Sequence, residues 1–160
     1  MKKAYIETSI LSYLTARPSR DLLAAAHQQV TREWWDAHRE RFEVFISPLV
    51  EEESRRGDPD AARRRVEALS GLPSLEVVDE AYELASVLIS EGALPSLAED
   101  DATHIALAAV HGVDYLLTWN CRHIDNAETK PIVRSVCAAH GYACPEICTP
   151  EELMGGENES

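Results

Sequence analysis

Residues 97–124 read LAEDDATHIALAAVHGVDYLLTWNCRHI, and this stretch decides the fold of the chain. Its first half repeats small and apolar residues at helical spacing, and the acids near its start suit the positive end of a helix dipole. Gly112 predicts the end of the helix, because glycine readily takes a left-handed conformation. Residues 115–118 then form an apolar run typical of a short strand buried in a parallel sheet. We therefore expect a helix that leads into one strand of a parallel sheet.

The rest of the chain alternates apolar runs and amphipathic segments in the same way. Further strands are predicted at residues 4–6, 42–47, 75–78 and 147–148, and helices at 21–41, 60–70, 79–91 and 131–140, with another that starts at Pro48. Such alternation is typical of an α/β protein whose helices cover a short, mainly parallel sheet.

The segment 21–41 predicts one long amphipathic helix. Its apolar face is expected to consist of Leu22, Leu23, Ala26, Val30, Trp34 and Ala37. Trp34 and Trp35 are neighbours and project about 100° apart on a helix. If one of them enters the core, the other lies near the boundary, where large aromatic residues are typical interface anchors. We expect the chain to self-associate through this helix.

Length and composition indicate one compact domain. The chain has 160 residues and 45% hydrophobic content, enough for one core. We expect this domain to span residues 1–150 and residues 151–160 to be a disordered tail. No apolar run approaches the ~18 residues that cross a bilayer, and the first residues lack a secretion signal, so we expect a cytoplasmic protein without membrane contact. Four cysteines without CxxC spacing indicate reduced thiols.

The formal net charge of −13 excludes a protein that holds nucleic acid by a bulk positive field. A nucleic-acid partner would need local help from a bound divalent metal or from a cluster of basic residues. One such cluster consists of Arg55, Arg56, Arg63, Arg64 and Arg65. The same residues suit a solvated helix face balanced by nearby acids, and both interpretations stay open.

Carboxylates recur at the predicted strand ends. Glu7 follows the first strand, one of the glutamates at 51–53 can face the sheet edge after the second, and Asp101 lies in the first turn of the helix before the central strand. A parallel sheet brings these ends to one edge, where open α/β folds bind ligands. Clustered carboxylates repel unless a cation neutralises them, and hard oxygen ligands suit Mg²⁺ or Mn²⁺. A metal-activated water that hydrolyses a phosphodiester is the chemistry this pattern favours.

Other polar residues near these ends have two interpretations each. His104 lies three residues after Asp101 and can bind metal, but a histidine that hydrogen-bonds a neighbour and orients Asp101 is favoured. Thr8 and Ser9 can cap a helix or hydrogen-bond a carboxylate or phosphate. A polar cluster after the central strand can contact phosphate at the rim of the site or satisfy loop backbone. Its members are Asn120, Arg122 and His123.

Four segments resemble the successive signatures of the PIN domain family. They are YIETSI at 5–10, SPLVEEE at 47–53, DATHIALAA at 101–109 and DYLLTWNCRHI at 114–124. The chain is similar to the VapC-like toxins of bacterial toxin–antitoxin pairs over roughly residues 3–150. The resemblance implies a three-layer α/β/α sandwich and a ribonuclease that depends on Mg²⁺ or Mn²⁺. It also implies RNA as substrate, an antitoxin protein as partner and a homodimer.

Carried over by position, the family's acidic site falls on four residues. The first acid is Glu7, the second Glu53, the third Asp101 and the fourth position Asn120. Glu53 is preferred to Glu52 because it lies six residues after Ser47. We expect the three carboxylates to ligate one metal ion, since Asn120 adds no charge for a second. Possible substrate contacts are Thr8, Ser9, Arg122 and His123.

Two positions depart from the family pattern. Glu7 is longer by one methylene than the usual aspartate, and Mg²⁺ holds strict octahedral geometry, so the longer side chain moves the ion or places a water between. Asn120 supplies a carbonyl oxygen where the family has a carboxylate. The expected function is a metal-dependent endoribonuclease, and the alternative is a non-catalytic PIN-like binding protein with a degraded metal site.

Overall fold

A computed structural model describes residues 1–155 of the protein and shows a four-stranded parallel sheet covered by helices. Within these residues the strands are β1 (Lys2–Ile6), β2 (Phe42–Phe45), β3 (Tyr115–Leu117) and β4 (Glu146–Cys148), and the α-helices are α1 (Thr8–Thr15), α2 (Leu22–Glu33), α3 (Pro48–Ser54), α4 (Pro59–Leu69), α5 (Asp79–Ser90), α6 (Glu99–Val110) and α7 (Lys130–Ala139). The strand order is β2-β1-β3-β4, and every pair is parallel.

The helices form two groups around the sheet. Helix α1 contacts α2, α3 and α4, whereas α5 contacts α6 and α7. Helix α6 is the most deeply placed of these, since eight of its residues are buried, among them Ile105 and Leu107. Its end at Val110 and the φ of 65° at Gly112 confirm the helix end expected from the sequence. The expected three-layer α/β/α sandwich is confirmed.

The register of the two central strands sets the position of the site. Ile6 of β1 pairs with Leu117 of β3, and the Glu7 N–H donates to the Leu117 carbonyl at 3.0 Å. The residues that follow these strands, Glu7 and Thr118, therefore leave the sheet side by side at its carboxyl edge.

The helix predicted at 21–41 differs from the structure in length and in its buried face. Helix α2 ends at Glu33, and a π-helical turn (Trp34–His38) and a 3₁₀ turn (Arg39–Arg41) follow. The predicted apolar face is wrong at its start, because Leu22 and Leu23 are 88% and 66% exposed while Gln28 and Thr31 are buried, whereas Trp34 is fully buried as predicted. Hydrogen bonds explain this orientation. The Gln28 amide donates to the Arg17 carbonyl at 2.9 Å, and Thr31 accepts from the Trp119 indole at 2.7 Å.

The strand predicted at residues 75–78 is also wrong. Only Ser74 forms an isolated parallel bridge, with Ile46 just beyond β2. The Leu75 N–H donates to the Ile46 carbonyl at 2.8 Å, and the chain then leaves the sheet edge to enter α5 at Asp79. No ladder therefore extends from this bridge through residues 75–78.

The end of the chain adds a short element to the domain. Pro150–Leu153 form a 3₁₀ helix with a capping box between Thr149 and Glu152. This turn overlaps the start of the tail predicted to be disordered at 151–160. The last five residues of that tail, 156–160, lie outside the described residues. All four cysteines are free thiols. No helix within residues 1–155 combines the length and apolar character needed to span a membrane.

Candidate metal centre

Glu7 lies at the carboxyl end of β1 and caps the N-terminus of α1. Its Oε2 accepts from the Ser9 N–H at 3.1 Å, and its Oε1 accepts from the hydroxyls of Ser9 at 2.6 Å and Thr118 at 2.7 Å. The residue is only 6% exposed. Because hydroxyl and amide donors hold both oxygens, the Glu7 carboxylate has one well-defined orientation.

Glu53, and not its neighbour Glu52, faces this carboxylate from α3. Ser47 caps α3 by accepting from the Val50 N–H at 3.3 Å, which sets the phase of the helix. Glu53 Oε1 accepts from the Thr8 hydroxyl at 2.7 Å and contacts His104 Nε2 at 2.5 Å. Glu52 is exposed and pairs with Arg56 at 2.8 Å.

Glu7, Glu53 and His104 form a cluster that can hold a cation. One ligand atom from each lies within 4.8 Å of the other two. No hydrogen bond within residues 1–155 uses Glu53 Oε2, and the Glu53 side chain keeps 18% exposure. Two converging carboxylates, one with an uncommitted oxygen near solvent, fit a hard divalent cation. Asp101 is not a member of this cluster.

His104 is the member of the cluster that sequence reasoning placed differently. The residue is fully buried, and its Nδ1 contacts the Tyr5 hydroxyl at 2.6 Å, which in turn contacts the Ser47 hydroxyl at 2.8 Å. The expectation that His104 orients Asp101 is wrong, since its second nitrogen contacts Glu53. The physical reason is that both ring nitrogens of His104 are engaged by the Tyr5 hydroxyl and the Glu53 carboxylate, while Asp101 contacts His123.

Burial and hydrogen bonding shift the pKa values of His104 and Glu53 in opposite directions. Burial alone would lower the pKa of His104, but the hydrogen bond to Glu53 and the negative charges of Glu7, Glu53 and Asp101 raise it above its ordinary value. Burial alone would raise the pKa of Glu53, but the hydrogen bonds and charge from His104, with Thr8 and Arg56, lower it. In the metal-free protein, both shifts favour an ionised Glu53 beside a protonated His104.

Asp101 occupies a second carboxylate–imidazole pair at the same end of α6. Its Oδ2 contacts His123 Nδ1 at 3.0 Å, and both side chains are partly exposed. The backbone N–H of His123 donates to Asn120 Oδ1 at 3.0 Å, and the backbone N–H of Asn120 donates to Thr118 Oγ1 at 2.9 Å. Since Thr118 also donates to Glu7, this loop is linked to the cluster through hydrogen bonds.

The predicted substrate contacts divide into two kinds. Thr8 and Ser9 donate to Glu53 and Glu7, so they hold the carboxylates in place. Arg122 is exposed and has no hydrogen-bond or ion-pair partner among the described residues. The sequence analysis did not identify Thr118 as a donor to Glu7. Its hydroxyl, at the end of the predicted central strand, is the signal that could have indicated this role.

Most of the arginine cluster serves the fold. Arg56 pairs with Glu52 and Asp100, and Arg63 and Arg64 pair with Asp60. The Arg64 Nε also donates to the Thr15 carbonyl at 3.0 Å. Arg65 donates to the carbonyls of Ser54 at 3.1 Å and Arg56 at 2.5 Å. These contacts favour the interpretation of a balanced helix face over that of a nucleic-acid patch.

Comparison with known families matches residues 4–127 to the PIN domain. The matched region covers more than half of the chain and includes Glu7, Glu53, Asp101 and Asn120. No curated protein shows significant similarity to the chain.

Proposed function

This chain belongs to the PIN domain family, and from that premise we propose that it is a metal-dependent endoribonuclease, the VapC-like toxin of a toxin–antitoxin pair. The proposal includes RNA as substrate and the cytoplasm as location. The observation that carries it is the convergence of Glu7 and Glu53 at the carboxyl edge of the sheet, with ligand atoms within 4.8 Å of each other. Members of the family are generally metal-dependent nucleases, so a hydrolase follows from the family alone, and the toxin role is the finer proposal.

Glu7 and Glu53 would hold Mg²⁺ or Mn²⁺, with Asp101 at the rim of the site. The ion would supply Lewis-acid polarisation of the phosphoryl group and activation of a water. The protein residues orient the carboxylates: Ser9 and Thr118 fix Glu7, and Thr8 fixes Glu53. His123 orients Asp101.

Asn120 fits this function as a loop residue. Its side-chain carbonyl accepts from the backbone N–H of His123 at 3.0 Å and so holds the loop that carries the imidazole facing Asp101. A neutral amide at this position leaves the site with three carboxylates, which favours one ion over two. Arg122, exposed on the same loop, is placed to meet substrate phosphate.

Cleavage of RNA by matched pairs of variants tests the proposal. Purified protein with Mg²⁺ or Mn²⁺ is expected to cleave single-stranded RNA, and Glu53→Gln and Asp101→Asn are expected to lose at least 100-fold in rate. Glu52→Gln and Asp100→Asn change the exposed neighbours of these acids and are expected to retain activity. Equal cleavage by Asp101→Asn and wild type would assign the activity to a contaminant or to another site.

One observation favours the non-catalytic alternative. Glu7 already accepts three hydrogen bonds and Glu53 is paired with His104, so donors from the chain compensate both charges without a cation. A PIN-like binding protein with this arrangement would show neither cleavage nor a thermal response to Mn²⁺, and that pair of results would replace the nuclease proposal.

The partners belong to the same proposal. We infer a homodimer that includes α2, because Leu22 and Leu23 leave apolar surface exposed at its start. Trp34 is fully buried and the half-buried Trp35 lies at the boundary beneath Arg39, whose Cζ is 4.2 Å from the ring centroid. An antitoxin protein is the second expected partner.

A further inference from the structure

His104 and Tyr5 are buried polar residues for which the proposed function so far has no role. Both side chains are fully buried between α6 and β1. A buried polar group costs free energy unless it is hydrogen-bonded, and each of these two is hydrogen-bonded toward the site. Their hydrogen bonds therefore point to a role at Glu53.

A continuous chain of hydrogen bonds runs from the start of α3 back to its end. The Ser47 hydroxyl contacts the Tyr5 hydroxyl at 2.8 Å, Tyr5 contacts His104 Nδ1 at 2.6 Å, and His104 Nε2 contacts Glu53 Oε1 at 2.5 Å. Ser47 is the N-cap of α3, the helix that carries Glu53. This series of hydrogen bonds therefore connects α3, β1 and α6 around the carboxylate of Glu53.

These hydrogen bonds reach only one of the two carboxylate oxygens of Glu53. Oε1 is held by His104 at 2.5 Å and by Thr8 at 2.7 Å, whereas no hydrogen bond within the described residues uses Oε2. A carboxylate held at one oxygen presents the other in a fixed direction. The hydrogen-bonded carboxylates of metal sites are oriented by outer partners in this way.

We propose that His104 and Tyr5 are positioning residues that hold Glu53 by Oε1 and turn Oε2 toward the bound cation. The proposal rests on the proposed metal-dependent function. His104 acts through Glu53 and is not itself a ligand of the ion, although one of its ring nitrogens lies within 4.8 Å of one carboxylate oxygen each of Glu7 and Glu53.

The burial of His104 favours this positioning role over direct binding of the ion. The His104 side chain has 0% exposure, and both ring nitrogens are already in contact with Tyr5 and Glu53. Direct ligation would require the imidazole to give up its contact with Glu53 in a closed interior. Oxygen donors also suit the hard cations that the carboxylates favour.

Mn²⁺ binding to the full chain tests this role without an activity assay. Titration followed by electron paramagnetic resonance is expected to give an affinity that Tyr5→Phe lowers about 10-fold, within the range for outer partners of metal ligands. His104→Leu is expected to lower the affinity further, and His104→Gln, which keeps a donor, to recover part of it. Tyr82→Phe changes a tyrosine that is 56% exposed on α5 and is the matched control.

A second measurement tests ligation directly. Pulsed resonance of Mn²⁺ bound to wild type is expected to show no coupling to the nitrogens of His104. A nitrogen coupling that is present in wild type and lost in His104→Gln would make His104 a ligand and overturn the proposal, as would an unchanged affinity in Tyr5→Phe. Either result leaves the nuclease proposal intact, whereas wild type that binds no Mn²⁺ at all overturns both.

Discussion

Glu7 shows how one residue serves the fold and the site together. As the N-cap of α1 it accepts a backbone hydrogen bond at 3.1 Å, and it also accepts from Thr118, the residue after the neighbouring strand β3, at 2.7 Å. An aspartate at this position would be one methylene shorter and would lose the reach to one of these donors unless the backbone moved. The longer side chain is therefore matched to the local spacing between β1 and β3.

Metal-linked stability tests Glu7 as a ligand. A cation that binds only the folded state at about 100 times its dissociation constant adds about 2.7 kcal/mol, which raises the Tm of a domain of this size by about 5–10 °C. We expect Mn²⁺ to produce this shift in wild type and Glu7→Gln to lose most of it, because the amide keeps an acceptor but no charge. Differential scanning calorimetry with and without EDTA measures both.

Glu52→Gln controls for the loss of one negative charge near the site, since Glu52 is exposed and outside the cluster. It should respond to Mn²⁺ as wild type does. An equal shift in Glu7→Gln would place the ion elsewhere on the protein.

At the scale of elements, Asp60 joins α4 to the segment that follows α1. Its carboxylate accepts from Arg63 at 2.7 Å and from Arg17 at 3.2 Å, and it also pairs with Arg64. Arg64 in turn donates to the last residue of α1, Thr15, at 3.0 Å. Helix α4 is therefore held against α1 by charge-assisted hydrogen bonds as well as by its two buried apolar residues, Ala62 and Leu69.

The pH dependence of unfolding tests this docking. The hydrogen bond from Arg63, with those from Arg17 and Arg64, lowers the pKa of Asp60 from 3.8 to about 2. A depressed folded-state pKa contributes stability that is present above the ordinary pKa and is lost as the pH falls toward 2. We expect Asp60→Asn to be less stable than wild type in urea at pH 7, and the difference to shrink between pH 4 and pH 2.

Asp36→Asn is the matched control, because Asp36 is exposed and has no ion-pair partner among residues 1–155. Its unfolding midpoint should follow that of wild type at every pH. A difference between Asp60→Asn and wild type that persists unchanged at pH 2 would show that the effect is not electrostatic.

At the scale of the whole molecule, the apolar surface is distributed unevenly. Leu22 and Leu23 are 88% and 66% exposed at one end of α2, in a chain whose net charge of −13 otherwise opposes association. The face of α2 that packs on the domain is filled by Gln28 and Thr31. The two leucines are consequently exposed where the proposed homodimer would bury them.

Oligomeric state tests that contact. We expect wild type to sediment as a dimer at tens of micromolar, and the double variant Leu22→Ser/Leu23→Ser and the single variant Trp35→Ala to shift toward monomer. Tyr82→Ser, which removes an aromatic ring that is 56% exposed on α5, should leave the dimer intact. A monomeric wild type, or a double variant that stays equally dimeric, would remove α2 from the interface.

The sequence by itself determined the class of fold and the acids at the strand ends. Helical and strand periodicity are local properties of the chain, so the helix and strand of residues 99–117 and the glycine between them were readable without a structure. The carboxyl ends of parallel strands meet at one edge of the sheet, and this predicts that Glu7 and Asp101 approach that edge. Local periodicity cannot supply the direction of an individual side chain.

Only the tertiary structure decided which groups meet. That α2 turns Thr31 inward and Leu22 outward depends on a hydrogen-bond partner distant in sequence, the Trp119 indole. Glu53 pairs with His104 across 51 residues, a contact that neither residue signals locally. Such contacts arise when helices from different parts of the chain pack on one sheet, because burial then forces each polar group to find whichever partner lies within reach.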